Sequence, residues 1–242
     1  VALLALEALA RLDRPGLDRD TAMFTDAAHP SQSAVTSDPT APRGLPTVGH
    51  YVRRIFAVSD NDAYNRLYEF LGQDEINASL RRKGYAGVRI VHRLSLPLSE
   101  ADNRRANPVR FVRDGDTVYA RPAREARGRW LGSTPTPLGI AEIRDGERVE
   151  RPKDFARRNA LPLQALHDMI LAVMFPDSVP ARMRFALPRE DLDFVRRAMA
   201  LTPRETGIEA YADAGEYPDG YVKFLLYGGD QLRIPARIRS FN

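Results

Sequence analysis

Apolar residues recur along much of the chain at the three-to-four-residue spacing of amphipathic helices. In the segment TVGHYVRRIFAV, for example, Val48, Val52 and Ile55 fall on one helical face. Between the first two predicted helices, residues 13–46 are rich in Pro, Asp, Ser, Thr and Gly and predict a long loop with short turns. The predicted helices cover residues 1–12, 47–58, 61–72, 73–83, 162–174 and 188–201.

Two Asp-Gly pairs, each flanked by alternating residues, predict two β-hairpins within residues 109–158. Trp130 lies between the hairpins and is predicted to anchor this segment on the helical body, with substrate stacking as the alternative role. Residues 93–108 predict an irregular loop, and residues 220–227 a further strand.

The mixture of helices and hairpins predicts an α+β fold in three parts. Residues 1–108 form a helical region, residues 109–158 a β-hairpin insertion, and residues 159–242 further helices with the start of a sheet.

Composition excludes several functional classes. The 242 residues are 43% hydrophobic and carry a net charge of +4, with acidic residues interleaved among the arginines. We therefore predict no nucleic-acid partner, because such a site needs a basic stripe. There is no cysteine, and the four histidines show no metal-binding spacing, so we predict no metal and no other cofactor. No apolar run reaches the length of a transmembrane segment.

The tripeptide Ser59-Asp60-Asn61 lies between two predicted helices, where short polar side chains can project into a cleft. A structural interpretation is also open, because Asp and Asn are common helix N-caps and Ser59 with Asp62 fits a capping box.

Residues 45–85 resemble the all-helical half of the class A β-lactamase and penicillin-binding-protein superfamily. The resemblance covers Ser-Asp-Asn, its helix, a turn containing glycine, and the next helix, which ends at Lys83-Gly84. It continues more weakly to Arg93-Leu94, where the family's Ω-loop begins. It implies a fold of the β-lactamase/transpeptidase type.

That superfamily also carries Ser-x-x-Lys, which holds the nucleophile, and Lys-Thr-Gly. The three lysines, Lys83, Lys153 and Lys223, belong to neither motif. The resemblance therefore implies that the nucleophile precedes Val1 and that the Lys-Thr-Gly strand follows residue 242.

The resemblance also implies roles for individual residues. Ser59 would relay a proton to the leaving nitrogen, and Asn61 would bind the acyl-amide carbonyl of the substrate as well as take part in catalysis. Asp60 would be structural. Leu98 occupies the position of the glutamate that activates water for deacylation, and Glu100 is the nearest candidate base. After Ser99, however, Glu100 also fits an ordinary acidic residue of a first helical turn.

These roles predict a serine hydrolase that forms an acyl-enzyme on amide or ester bonds, with a β-lactam or cell-wall peptide as its small-molecule or peptide substrate. The alternative is a catalytically silent relative that binds cell-wall peptide or a protein partner. The resemblance implies a periplasmic or secreted location.

Overall fold

The computed structural model describes residues 1–130, 137–144, 146–212 and 219, and it shows a mixed α+β arrangement. The α-helices are α1 (Ala2–Leu12), α2 (Val48–Val58), α3 (Asn61–Leu71), α4 (Gln73–Lys83), α5 (Glu100–Arg104), α6 (Leu163–Met174), α7 (Arg189–Met199) and α8 (Glu209–Ala212). The strands are β1 (Ala22–Thr25), β2 (Arg105–Ala106), β3 (Val109–Arg113), β4 (Asp116–Arg121), β5 (Arg124–Glu125), β6 (Pro137–Leu138), β7 (Glu142–Arg144), β8 (Glu147–Val149) and β9 (Lys153–Asp154).

Helix α3 is the centre of the helical body and packs against α1, α2 and α4. Its residues Leu67, Tyr68, Phe70 and Leu71 are fully buried. The six helices predicted from apolar spacing are all present, with ends that differ from the prediction by two residues at most. Helix α7 packs on α2 and buries Phe194 and Val195 there.

A three-stranded antiparallel sheet has the order β1-β3-β4. Strand β1 lies inside residues 13–46, so the prediction of a long loop there was wrong at this point. Four residues are too few to show the alternation of polar and apolar residues that predicts a strand. Strand β1 forms because it pairs with β3, which is far from it in sequence. Phe111 of β3 is fully buried, and its ring centroid lies 5.2 Å from that of Phe70.

Both predicted hairpins are confirmed, as β3–β4 and β7–β8. In the first, Asp114 and Gly115 have φ values of 52° and 92°, as a tight turn with two left-handed residues requires. The three-part division of the chain stays a prediction. The pairing of β1 with β3 nevertheless joins the first hairpin to the sheet and core of the helical region.

The segment predicted as an irregular loop, residues 93–108, contains α5 and the short strand β2, which the prediction missed. Trp130 donates from Nε1 to Asp74 at 2.7 Å and so anchors its segment on α4, as predicted. The strand candidate at residues 220–227 lies outside the described residues. Within the part of the chain that the structure describes, no helix is both long and apolar enough to cross a membrane.

Candidate active site

Ser59, Asp60 and Asn61 form the turn between α2 and α3. Ser59 ends α2 in the left-handed conformation, with φ 57° and ψ 39°, and its side chain is on the exposed surface. The backbone N–H groups of Ser59 and Asp60 both donate to the carbonyl oxygen of Arg54. These two hydrogen bonds hold the turn against the end of α2, while Ser59 and Asn61, on either side of Asp60, remain accessible to solvent.

Asp60 points inward and caps α3. Its Oδ1 accepts from the backbone N–H of Ala63 at 2.8 Å, so Asp60 is the N-cap and Ser59 is not. Its Oδ2 accepts from Nε and Nη2 of Arg54, at 3.0 and 2.7 Å. Burial alone would raise the pKa of this carboxyl, but the Ala63 and Arg54 contacts outweigh it, and the pKa is lowered.

Arg54 also bonds a second carboxylate. Its Nη1 donates to Oδ2 of Asp38 at 2.7 Å, and the hydroxyl of Thr40 donates to the other oxygen of Asp38 at 2.6 Å. Tyr211 of α8 donates its hydroxyl to Oδ2 of Asp60 at 2.9 Å. We call Arg54, Asp38, Asp60 and Tyr211, together with Thr40 and His50, the Arg54 cluster.

His50 completes the Arg54 cluster from α2, with only 4% of its side chain exposed. Its Nε2 lies 2.8 Å from the Thr40 hydroxyl, and because that hydroxyl donates to Asp38, Nε2 is the donor here. Burial lowers the pKa of His50, and so does the positive charge of Arg54 and Arg53. Together these effects outweigh the negative charge of Asp38, which would raise the pKa. His50 is therefore neutral at neutral pH.

Asn61 projects from the other side of the turn toward residues 93–99. Its Nδ2 donates to the hydroxyl of Ser95 at 2.7 Å, and both residues are exposed. One helical turn later, Asn65 donates to the carbonyl of Leu94 at 2.9 Å and accepts from its N–H at 2.7 Å. Helix α3 therefore holds the loop after Arg93 beside the Ser59–Asn61 turn.

Glu100 is the first residue of α5. Ser99 is the N-cap of that helix, and the Glu100 side chain is 51% exposed. Its carboxylate oxygens lie 3.3 Å from Arg104 and 3.5 Å from Arg157. The structure thus places Glu100 at a helix start on the same loop that Asn61 contacts, with two cationic neighbours. Leu98, just before it, is partly buried.

A model of the β-lactamase enzyme family matches residues 2–126, just over half of the chain. The chain belongs to the β-lactamase enzyme family. In this β-lactamase relative, the match includes the Ser59–Asn61 turn and runs through β3 and β4, so the first hairpin lies within the family region. Searches among curated proteins and among solved structures found no match.

Sequence reasoning identified the turn of this β-lactamase relative but missed its support. From the sequence alone, Arg54 resembles any surface arginine of an amphipathic helix, and Asp38 is one of many polar residues in a predicted loop. Tyr211 is 151 residues from Asp60 in sequence, so no local pattern pairs them. Among the described residues, no group of three or more His, Cys, Asp or Glu side chains is placed to hold a metal ion.

Proposed function

We propose that this chain is part of a serine hydrolase that forms an acyl-enzyme on the amide or ester bond of a β-lactam or a cell-wall peptide. The observation that carries the proposal is the Ser59–Asn61 turn within the family-matched region. Ser59 and Asn61 are exposed there while Asp60 is turned inward and bonded. A periplasmic or secreted location is part of the same proposal.

In the proposed reaction, a serine hydroxyl attacks the substrate carbonyl carbon, and the bond to the leaving nitrogen or oxygen breaks. We propose that this serine belongs to a Ser-x-x-Lys motif encoded before Val1, since none of the lysines in the 242 residues completes that motif. Water then attacks the acyl carbon and releases the acid together with the free serine.

Ser59 serves this reaction as a proton relay to the leaving atom. A hydroxyl suits the task because it accepts one proton while it donates another. Asn61 offers an amide N–H to the substrate carbonyl. An amide nitrogen carries two hydrogens, so Asn61 keeps its bond to Ser95 and still presents a second donor.

The first test is to read the sequence encoded before Val1 for Ser-x-x-Lys. The second uses the protein with its preceding and following residues, which we call the extended protein, and a fluorescent penicillin. We expect a covalent adduct, and Ser59→Ala should slow its formation by about 10²–10⁴-fold, the usual contribution of such a relay.

The matched control is Ser178→Ala, which removes another exposed serine hydroxyl from a short helix outside the turn. It should label at the wild-type rate. Unchanged kinetics in Ser59→Ala would contradict the relay role. A complete lack of labelling, with no Ser-x-x-Lys upstream, would instead show a catalytically silent relative that binds cell-wall peptide or a protein partner.

A further inference from the structure

We infer that Arg54 is a positioning residue that holds Ser59 and Asn61 in their reactive arrangement. This inference rests on the proposed function. Arg54 does not reach the exposed side of the turn; it acts through Asp60, whose carboxylate it binds with Nε and Nη2.

Arg54 holds the turn with its backbone as well as its side chain. Its carbonyl accepts from the N–H groups of Ser59 and Asp60. Because Asp60 also caps α3 through Ala63, the end of α2 and the start of α3 are fixed to one another at this residue. Ser59 lies between the two fixed points, and Asn61 begins the helix directly after them.

The backbone at Ser59 explains why such a restraint is needed. A φ of 57° is uncommon for a residue other than glycine, and it persists only where the surroundings impose it. If the bond between Arg54 and Asp60 were lost, Ser59 could relax toward an ordinary conformation. The hydroxyl and the Asn61 amide would then lose their fixed separation.

Burial makes this ion pair firmer than a surface pair. The side chains of Arg54, Asp60 and Asp38 are 12%, 14% and 7% exposed. One guanidinium lies between two carboxylates, and Tyr211 adds a hydrogen bond to Asp60 from a distant part of the chain. Arginine suits this place because its planar group presents several donors in fixed directions, which lysine cannot do.

The key variant is Arg54→Lys, which keeps the charge between the two acids and removes the fixed donors. Arg53→Lys is the matched control, because Arg53 is the neighbouring residue of α2 and its guanidinium packs over the Phe194 ring instead. In the extended protein, Arg54→Lys should slow penicillin labelling by about tenfold or more, as expected when a catalytic group is slightly misplaced. Arg53→Lys should label at close to the wild-type rate.

Amide hydrogen exchange gives a readout that does not depend on activity. In Arg54→Lys, the Ser59 and Asp60 amides should exchange about tenfold faster, while Leu67 in the centre of α3 stays protected. Asp60→Asn combined with Arg54→Lys should slow labelling no more than the worse single variant, because both remove the same contact.

The outcomes separate this inference from the proposed function. If the penicillin does not label the wild-type extended protein, the proposed function fails, and the catalytic part of the inference fails with it. Amide hydrogen exchange still decides whether Arg54 restrains the turn. If the wild type labels and Arg54→Lys labels equally fast, Arg54 is not a positioning residue. Unchanged exchange at Ser59 and Asp60 would overturn the restraint itself.

Discussion

Nη1 of Arg93 lies 2.5 Å from Oε1 of Glu69, and the two side chains are only 1% and 4% exposed. Arg93 also donates from Nη2 to the carbonyl oxygens of Asp102 and Arg105, at 2.6 and 2.7 Å. This one guanidinium therefore fixes both ends of the loop that carries Ser95 and Glu100 onto helix α3, directly beside the Ser59–Asn61 turn.

We predict that Glu69→Gln lowers the free energy of unfolding by about 3–5 kcal/mol, because it leaves the charge of Arg93 buried without its partner. Urea unfolding measures the change. The control is Glu150→Gln, which breaks a pair between exposed side chains of Glu150 and Arg148 and should cost no more than about 1 kcal/mol. Similar losses in the two variants would show that the buried pair contributes no more than a surface pair.

The first hairpin should behave as part of the core. Phe111 is fully buried against Phe70 and Tyr119, so Phe111→Ala should cost about 3–5 kcal/mol of unfolding free energy. Ile143 of the second hairpin is 66% exposed, and Ile143→Ser should change stability by about 0.5 kcal/mol or less. A small loss in Phe111→Ala would show that this hairpin is not part of the core.

The sequence was most informative for elements that can be predicted from their own residues. Helices α2 and α3 each show an apolar face over eleven residues, and the Asp114-Gly115 pair is typical of a hairpin turn. Strand β1 and helix α5 are only four and five residues long. Elements of that length are defined by their partners in space, which periodicity does not reveal.

The candidate site divides in the same way. The family motif pointed to Ser59, Asp60 and Asn61 because they are consecutive in sequence. Arg54 was not identified, because its partners Asp38 and Asp60 lie on opposite sides of it in sequence and only the folded chain brings both carboxylates to one guanidinium. The catalytic roles of Ser59, Asn61 and Glu100 stay predictions.

Stability should fall with mild acidification because of His50. Below about pH 6.5, the ordinary pKa of histidine, the unfolded chain takes up a proton at His50, while the folded chain, whose His50 pKa is lowered chiefly by burial, takes it up only at a lower pH. The unfolded state is therefore favoured progressively below this pH. Asp38 and Asp60 act in a separate, more acidic range, because their pKa values are below the usual 3.8.

Thermal unfolding measured from about pH 8 down to about pH 5 tests this effect. His50→Gln should show a weaker dependence on pH over this range, whatever its stability at pH 8, because glutamine does not titrate. An equal slope in His50→Gln and the wild type would assign the acid sensitivity to other groups.

The last prediction concerns release of the acyl group in the extended protein. We propose that Glu100 accepts the proton of the attacking water, because Leu98 at the matched position is apolar and cannot do so. Since Glu100 is half exposed and shares its carboxylate with Arg104 and Arg157, we expect slow turnover in the wild type.

Glu100→Gln should acylate normally but release the product about 10²–10⁴-fold more slowly, so that the penicillin adduct accumulates. Glu125→Gln, an exposed acid on β5, is the control and should match the wild type. If adduct lifetime is the same in Glu100→Gln and the wild type, Glu100 is only the acidic first residue of α5, and another group must activate the water.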